Sequence, residues 1–465
     1  MKDDTVAYNT LLEEIFKRFP SVQTSPFDGA YKPGLANMEA FCEALGHPER
    51  KWRSIHVAGT NGKGTVTSML ASVLSGCGFK TGLYTSPHLV DFRERARIVG
   101  DGLIPKEYVH DFLLKWKPWF IEHDLSFFEI TTGLAFSWFA ESGVDIAVIE
   151  TGLGGRLDST NVISPELSVV TSIGLDHCRY LGDTKALIAA EKAGIFKKGV
   201  PALVGESDPE TSPVFEAKAE GFCPLAFADA LEPSLWFRCG EILREGDLHG
   251  PCMESCLRTA MAAIDLLLAK PGFESLSDKE KVVESLKKTA SSTAFHGRWE
   301  TLCEHPLVIA DIGHNPAALS HNFDRLRAML NEGACSALVI VFGVMADKDL
   351  DSILPLMPEN ATYVFASPST SRALPAEDLL AKWKASRSSG GLASSRAYTA
   401  ESVREAVRMA LSLARNLSES LSRSASAAPD APVCVYIGGS TFVVGEAITI
   451  FLSQKDIQSF NFHAK

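Results

Sequence analysis

Short apolar runs alternate with longer helical stretches through most of this 465-residue chain. In its first part the helical stretch Thr65–Ser75 separates the first two runs. The apolar runs there are Ser54–Ala58, Lys80–Thr85, Val144–Glu150, Leu167–Ile173 and Pro201–Val204. Because parallel strands need long connections that are usually helical, this alternation predicts βαβ units and a largely parallel sheet.

A second series of apolar and helical stretches begins after residue 300. Its predicted strands are Leu307–Ile312, Ala337–Phe342, Thr362–Ala366 and Val433–Ile437, and its predicted helices are Leu319–Leu330, Ala376–Ala385 and Ser402–Leu417. We place the boundary near Ser292, which gives domains 1–292 and 293–465, with a hinge near Ser292–His296. Ser-rich stretches at Ser386–Arg396 and Ser418–Pro432 predict surface loops.

The composition is that of a globular protein, with 46% hydrophobic and 22% charged residues. The formal net charge of −12 argues against nucleic-acid binding, because an acidic surface repels phosphate backbones. The first ten residues are acidic where a signal peptide would be basic, and no apolar run approaches membrane-spanning length. Ten scattered cysteines without a CxxC pair indicate reduced thiols. We therefore expect a cytoplasmic protein without membrane or nucleic-acid partners. Separately from the composition, we take a monomer as the expected state.

The strongest local feature is a glycine-rich loop between a strand and a helix. Glycines let backbone N–H groups approach phosphate oxygens, and a lysine and a hydroxyl add ligands for phosphate or Mg²⁺. In the usual phosphate loop a serine or threonine directly follows the lysine, whereas here Gly64 separates Lys63 from Thr65. The alternative to a nucleotide-binding loop is therefore a tight strand–helix turn with an exposed lysine. The predicted nucleotide-binding residues are Gly59, Thr60, Asn61, Gly62, Lys63, Gly64 and Thr65.

This loop resembles the nucleotide-binding loop of the Mur ligase superfamily. The glycine after the lysine, Gly64, is similar to the loop sequence of its folylpolyglutamate synthase/dihydrofolate synthase branch. Further motifs follow in the family's order along nearly the whole chain. They are Thr85-Ser-Pro-His-Leu89, Phe127-Phe-Glu129, the segment 150–158 (ETGLGGRLD), Gly174-Leu-Asp-His177, Glu191-Lys-Ala-Gly-Ile195, Gly297-Arg298, the segment 311–316 (DIGHNP), the segment 342–349 (FGVMADKD) and Gly439-Ser440. Each motif alone is weakly specific, whereas the ordered set is highly specific.

The resemblance implies an α/β fold, with an N-terminal P-loop ATPase domain containing a mostly parallel sheet and a C-terminal Rossmann-like α/β domain. It also implies an ATP-dependent ligase that adds glutamate to dihydropteroate or to reduced folates through an acyl phosphate. Arg156-Leu157 resembles enzymes that have both synthase activities. Two alternatives stay open: a Mur-type ligase with a different carboxylate and amino acid, and a non-catalytic nucleotide-binding module.

The resemblance implies two Mg²⁺ ions. The implied ligands of the first ion are Thr65, Ser86, Glu150 and His177. The implied ligand of the second ion is Lys192 in a carbamylated form. Carboxylate and hydroxyl oxygens suit Mg²⁺. Taken one at a time, each residue also has an ordinary interpretation, such as a helix cap, a surface carboxylate or a solvated lysine.

In the second domain, the resemblance implies that Arg298, Asp311 and His314 act on ATP and glutamate, although His314 could simply cap a helix. Phe127 and Phe128 are candidates to stack on a pterin ring, with ordinary core packing as the alternative. His88 and Asp158 are weaker candidates for the same substrate. These are the remaining predicted site residues.

The chain departs from the family pattern at three places. Met253 and Cys256 stand where a glutamine and an asparagine are usual, and neither has an amide to pair with adenine. Ile312 replaces a glycine, and His296 replaces a proline. These differences leave the mode of adenine recognition open.

Overall fold

The computed structural model describes residues 2–19, 34–387, 396–422 and 431–453, with side chains from residue 6 onward. The chain forms two compact units. The first contains Met1–Leu248 and Cys252–Phe295, and the second contains His249–Pro251 and His296–Lys465. The break therefore lies after Phe295 rather than after Ser292, because the residues in between contact the first unit.

The first unit is built on an eight-stranded sheet in the order β4-β3-β2-β5-β1-β6-β7-β8. The six strands β2, β5, β1, β6, β7 and β8 run parallel to one another, whereas β3 pairs antiparallel with both β2 and β4 at one edge. The strands are β1 (Arg53–Ala58), β2 (Thr81–Tyr84), β3 (Ala96–Ile98), β4 (Gly102–Leu103), β5 (Ile146–Glu150), β6 (Leu167–Val170), β7 (Ala202–Val204) and β8 (Leu225–Phe227).

Helices cover both faces of this sheet, which is why the central strands are buried along almost their whole length. α3, α10 and α11 pack on one face, and α1, α2, α4 and α5 pack on the other. The helices are α1 (Lys2–Arg18), α2 (Ala36–Ala44), α3 (Lys63–Gly76), α4 (Lys106–Glu122), α5 (Phe127–Glu141), α6 (Cys178–Leu181), α7 (Lys185–Lys192), α8 (Ser212–Ala219), α9 (Cys239–Glu245), α10 (Met253–Leu268), α11 (Lys279–Lys287) and α12 (Thr289–Thr293).

The second unit contains a six-stranded sheet in the order β13-β12-β11-β14-β10-β9, parallel except at β9. Its strands are β9 (Glu300–Cys303), β10 (Leu307–Asp311), β11 (Ala337–Phe342), β12 (Ala361–Ala366), β13 (Ala397–Ala400) and β14 (Val433–Gly438). Its helices are α13 (Pro316–Asn331), α14 (Leu350–Ile353), α15 (Ala376–Arg387), α16 (Val403–Ser422) and α17 (Thr441–Leu452).

The predicted α/β class is confirmed, and the predicted strands all form, with ends that move by a few residues. The helix predicted from Thr65 begins at Lys63, so that the lysine itself belongs to the first turn. Ser418–Ser422 and Ser386–Arg387 are helical rather than loop, whereas 388–395 and 423–430 lie outside the described residues. Within the described parts of the chain, no helix combines the length and the apolarity needed to cross a membrane.

Candidate functional site

The glycine-rich loop joins β1 directly to α3. Gly59 and Gly62 have φ values of 152° and 83°, a backbone conformation that side chains rarely adopt. A Cβ on Gly59 would also collide with Thr171 Oγ1, and one on Gly62 would lie 3.0 Å from Cys256 Sγ. The loop therefore needs glycine for backbone and for steric reasons, and it delivers the first N–H groups of the 14-residue α3 to one place.

The turn that follows β6 holds the polar residues of the loop. Thr60 N donates to Ser172 O at 2.7 Å, and Thr60 Oγ1 donates to Gly174 O at 3.1 Å. Asn61 N donates to Ser172 Oγ, and Asn61 O accepts from Thr171 Oγ1 at 2.6 Å. Side chains and main chain of the neighbouring turn therefore fix the positions of both residues of the loop.

Two lysines converge on one oxygen of the loop. Lys63 Nζ donates to Gly59 O at 3.0 Å and to Thr60 O at 3.1 Å, and Lys192 Nζ donates to Gly59 O at 2.7 Å. Lys192 is buried, and this burial, together with the charge of Lys63, lowers its pKa to about 7. A large fraction of Lys192 is therefore a neutral amine at physiological pH.

The carboxyl ends of β1, β2 and β5 are adjacent, because these strands are parallel neighbours in register. Glu150 ends β5 and is 4% exposed. Its Oε2 accepts from Ser86 N, two residues after β2, at 3.0 Å. The same oxygen would lie 3.7 Å from a Cβ on Gly64. The structure thus brings Gly64, Ser86 and Glu150 together beside the carboxyl ends of parallel strands, where ligands of open α/β sheets bind.

Arg95 and Arg97, on either side of the start of β3, are buried, at 4% and 6% exposed. Arg95 Nε donates to His88 Nδ1 at 2.9 Å. Because a guanidinium can only donate, the proton of the neutral His88 ring lies on Nε2. Burial, followed by the charge of Arg95, lowers the pKa of His88 to about 3. His88 therefore stays uncharged and offers an N–H donor.

The two candidate aromatic residues have different surroundings. Phe127 is 3% exposed and contacts Phe16 and Phe92, with Arg95 Cζ 5.2 Å from its ring centroid. Phe128 lies against Gly152, where a Cβ would collide with its ring. Phe127 thus has the burial of a core residue, whereas Phe128 shapes the turn after Glu150.

Asp158 is directed into the protein. Its carboxylate accepts from Leu153 N at 2.7 Å and from Thr160 N at 3.1 Å, and Thr160 Oγ1 donates to it as well. Thr160 Oγ1 also bonds His56 Nε2 at 2.8 Å. Burial raises the pKa of Asp158, and these hydrogen bonds oppose the shift. In this structure Asp158 holds the turn that follows β5.

The same turn docks the end of α7, which carries Lys192. Arg156 N donates to Glu191 O at 2.8 Å, and the Arg156 guanidinium pairs with the Glu191 carboxylate. A Cβ on Gly155 would lie 2.9 Å from both Glu191 O and Lys192 O. The Gly-Gly-Arg sequence therefore allows the close approach that fixes Lys192.

His177 lies in the turn before α6, exposed and with a left-handed φ of 51°. Its main-chain N–H donates to Asp176 Oδ1 at 2.9 Å. Among the described residues there is no group of three or more His, Cys, Asp or Glu placed to hold a metal. The predicted set contains only two such residues, Glu150 and His177, so its other ligands would be hydroxyls, the modified lysine and the nucleotide.

In the second unit, Asp311 ends β10 and is 7% exposed. Its Oδ1 accepts from Gly313 N and from Asn322 Nδ2, both at 2.7 Å, and its Oδ2 accepts from Trp299 N at 2.9 Å. Trp299 has a φ of 46°. Asp311 therefore fixes the backbone on both sides of β10.

The other predicted residues of this unit lie close in sequence to Trp299 and Gly313, the two residues whose main-chain N–H groups donate to Asp311. Arg298 precedes Trp299, and His314 Nδ1 lies 3.0 Å from Ile312 O. The helix cap that His314 could have provided comes instead from Asn315, whose Oδ1 accepts from Ala318 N at 2.9 Å. His296 Nδ1 lies 2.8 Å from Glu300 Oε1.

The sequence did not predict the buried Arg95 and Arg97 or the partly buried Phe295 as residues of this region. Arg95 and Arg97 belong to the run Arg-Glu-Arg-Ala-Arg, which has the composition of a solvated surface. The spacing of two between its arginines, just before a strand, was the available signal that they share a face. Phe295 gave no such signal, because its contact with Gly64 joins residues far apart in the chain.

The residues present fit a nucleoside triphosphate with a divalent metal. The glycines of the loop permit the backbone conformation in which main-chain N–H groups can approach phosphate oxygens, and two lysines lie beside the loop. Glu150, buried at a strand end, is the anionic oxygen ligand that Mg²⁺ requires. Cys256, buried in α10, lies beside Gly62 of the loop, and Met253 is buried at the start of the same helix; neither side chain offers an amide.

Two family models match the chain. The Mur ligase middle domain matches residues 57–225, and the Mur ligase, glutamate ligase domain, matches residues 297–418. A dihydrofolate synthase/folylpolyglutamate synthase from Bacillus subtilis is 34% identical over 75% of this chain and 84% of that protein.

Solved structures agree with these matches. A Mycobacterium tuberculosis folylpolyglutamate synthase complexed with ADP has a TM-score of 0.79 and 28% identity, and covers 96% of this chain and 99% of that one. A bifunctional folylpolyglutamate synthase/dihydrofolate synthase from Yersinia pestis, complexed with AMPPNP and Mn, has a TM-score of 0.73 and 27% identity. The match covers 94% of this chain and 97% of that chain. The similarity thus extends over both units.

Proposed function

Because this chain belongs to the dihydrofolate synthase/folylpolyglutamate synthase family of Mur ligases, we propose that it is an ATP-dependent ligase that joins glutamate to a folate-type carboxylate. Its proposed acceptors are dihydropteroate and reduced folates or their polyglutamates, so that it is bifunctional. The single observation that carries the proposal is the convergence of Lys63 and Lys192 on Gly59 O, inside a loop preorganised for phosphate.

The proposed reaction has two chemical steps. A carboxylate oxygen of the acceptor attacks the γ-phosphorus of ATP, which releases ADP and forms an acyl phosphate. The neutral amine of glutamate then attacks the acyl carbon, and the tetrahedral intermediate expels phosphate and loses a proton to leave the amide. A carboxylate is a poor acyl donor, so the first step supplies the leaving group that the second step requires.

In the first step the loop positions charge against the transferring phosphoryl group. The N–H groups at the start of α3 and the Lys63 ammonium would contact the phosphate oxygens, with the Lys63 bonds to Gly59 O and Thr60 O exchanged for phosphate contacts. Such preorganised donors need no rearrangement as the transition state forms. Thr65, buried in the first turn of α3, would add a hydroxyl.

A Mg²⁺ ion would neutralise charge on the phosphoryl oxygens. Glu150 is its proposed carboxylate ligand, with Thr65, Ser86 and His177 as further proposed ligands. The bond from Ser86 N to Glu150 Oε2 supports this set, because it orients the carboxylate next to the loop. The proposed number of ions is two.

Lys192 is the proposed site of carbamylation and the ligand of the second ion. A neutral lysine amine adds to CO₂ and loses a proton, which gives an anionic carbamate. The pKa of about 7, caused by burial and by Lys63, supports this because the reaction needs the unprotonated amine. The carbamate would also place a negative charge where the Lys192 amine lies beside Gly59 O.

The second unit is proposed to bind glutamate and to assist the phosphates through Arg298 and His314, with Asp311 holding their backbone. The match of residues 297–418 to a glutamate ligase domain supports this role. His88, Phe127, Phe128 and Asp158 remain proposed pterin-side residues, of which the Nε2–H donor of His88 has the best-defined chemistry. A monomer in the cytoplasm remains the proposed state.

The test is product formation. The protein is incubated with ATP, Mg²⁺, glutamate and either dihydropteroate or tetrahydrofolate, and phosphate release and product masses are followed. We expect phosphate release only when both organic substrates are present, and products that gain one glutamate at a time. Amide formation from a non-folate acid alone would support a different Mur-type ligase, and nucleotide binding without any amide would support a non-catalytic module.

A further inference from the structure

The connecting segment, Thr293–Phe295, ends the first unit. The Phe295 ring lies against Gly64 so closely that a Cβ there would be 3.2 Å from Phe295 Cε2 and 3.4 Å from Cζ. Contacts this short are tighter than ordinary van der Waals packing, so any side chain at position 64 would push the ring away. This contact gives a physical reason for the glycine that separates Lys63 from Thr65.

Arg97 fixes the main chain of the connecting segment. Its Nη1 donates to Thr293 O and, at 2.9 Å, to Ala294 O, while Nη2 donates to Thr85 Oγ1 at 3.1 Å and Nε to Glu94 O at 2.8 Å. The planar guanidinium is the side chain that can satisfy acceptors in several fixed directions at once. Arg97 therefore ties the connecting segment to the end of β2.

This bond network reaches the proposed metal and phosphate sites. Thr85 precedes Ser86, whose N–H donates to Glu150 Oε2, and that oxygen lies next to Gly64. The Arg97 guanidinium is buried and interacts electrostatically with Glu150 and Glu94. Arg97 thus acts on the Glu150 carboxylate through its charge, and on the backbone around it through hydrogen bonds.

We propose that Arg97 and Phe295 are positioning residues, which hold Gly64 of the phosphate loop, Ser86 and Glu150 in the geometry that binds a metal–triphosphate complex. Arg97 sets the spacing between the end of β2 and the connecting segment, and Phe295 transmits that spacing to Gly64. Neither residue is assigned a contact with substrate. The inference rests on the proposed function only in taking Glu150 as a metal ligand.

The chain offers a matched control at the start of β1. Arg53 donates to Pro271 O and Gly272 O, each at 3.3 Å, and its Cζ lies 3.9 Å from the centroid of the Phe273 ring. It therefore anchors a turn by the same kind of bonds, but at the opposite end of the strand from the loop. Substitution of Arg53 measures the cost of losing such an anchor by itself.

The first experiment compares Arg97→Lys and Arg97→Met with Arg53→Lys and Arg53→Met in the full chain. Binding of AMPPNP with Mn²⁺ is measured by calorimetry, and thermal unfolding is followed in parallel. We expect ~10–100-fold weaker Mn²⁺-dependent binding for Arg97→Met, as for other residues that orient metal ligands, and a smaller loss for Arg97→Lys. The Arg53 variants should lose thermal stability alone. Parent-like binding in folded Arg97 variants, or an equal loss in the Arg53 variants, would overturn the inference.

The second experiment does not depend on any arginine variant folding. Gly64→Ala should weaken nucleotide binding by displacing the Phe295 ring. Adding Phe295→Leu, which removes the ring atoms nearest Gly64, should restore part of it, so that the two effects are not additive. Additive losses would contradict the proposed contact. Because both experiments measure binding, absence of ligase product from the parent would sink the proposed function and leave this inference standing.

Discussion

The two units treat buried charge differently at the ends of their strands. In the first unit, Lys63 and Lys192 donate to main-chain carbonyls, which carry no net charge. In the second, the Asp311 carboxylate accepts three N–H groups from its own surroundings. The Lys63 ammonium thus keeps positive charge that phosphate can neutralise, whereas the Asp311 carboxylate is already compensated by its hydrogen-bond donors. The difference suggests that the first site is built to receive an anion and that Asp311 is built to hold backbone.

The largest expected effect is the loss of activity in Lys63→Met, which tests whether the first site binds an anion. Removing the ammonium takes away charge that develops contacts with phosphate in the transition state, so we expect kcat/KM to fall by ~100–1,000-fold. Steady-state assays of phosphate release measure it. The control is Lys80→Met, since Lys80 Nζ also donates to a main-chain carbonyl, Ser142 O, but at an exposed position. Equal activities for the two variants would refute an anion-binding role for Lys63.

Lys192→Met tests whether the second lysine works as a carbamate. We expect turnover to fall by ~10–100-fold, the range for losing a residue that supports a metal site. Lys197→Met is the matched control, because Lys197 is partly buried and donates to Asn161 O at 2.8 Å. In the parent, depletion of CO₂ should lower turnover, and ¹³C-bicarbonate should give a carbamate signal in NMR that Lys192→Met lacks. Full turnover without CO₂ would remove this role.

Asp311→Asn tests whether the Asp311 carboxylate stabilises the backbone of the second unit. An asparagine cannot accept all three N–H groups, so at least one buried donor loses its charged partner, and we expect the free energy of unfolding to fall by ~1.5–3 kcal/mol. Urea unfolding of the full chain measures the change. Asp349→Asn is the control, because asparagine caps the start of α14 as well as aspartate does. An unchanged stability of Asp311→Asn would show that the three bonds do not matter.

The most gradual expected effect is on the pH dependence of stability. In CO₂-free buffer, burial and the charge of Lys63 lower the pKa of Lys192 to about 7 in the folded protein, against 10.5 for a freely solvated lysine, so between these values the unfolded chain binds more protons. Relative to Lys192→Met, the stability of the parent should therefore rise with pH across that window, by at most ~1.4 kcal/mol per unit. A flat difference between pH 7 and 10 would mean that the lysine is not buried as described.

Much of the fold and part of the site could be predicted because their signals are local. The alternation of apolar and helical stretches identified both sheets, and the position of Glu150 at a strand end placed it beside the loop. By contrast, the roles of Asp158 and Asp311 depend on which N–H groups surround them. A carboxylate in a motif looks the same in sequence whether it binds a substrate or its own backbone.

By itself, the sequence determined the family, the α/β class and the glycine-rich loop, because periodicity, turn chemistry and motif order are written along the chain. Only the tertiary structure decided that two lysines share one carbonyl, that Arg95 sets the tautomer of His88, and that Phe295 requires a glycine at position 64. The physical reason is that burial, pKa and close packing depend on neighbours distant in sequence, which no local pattern records.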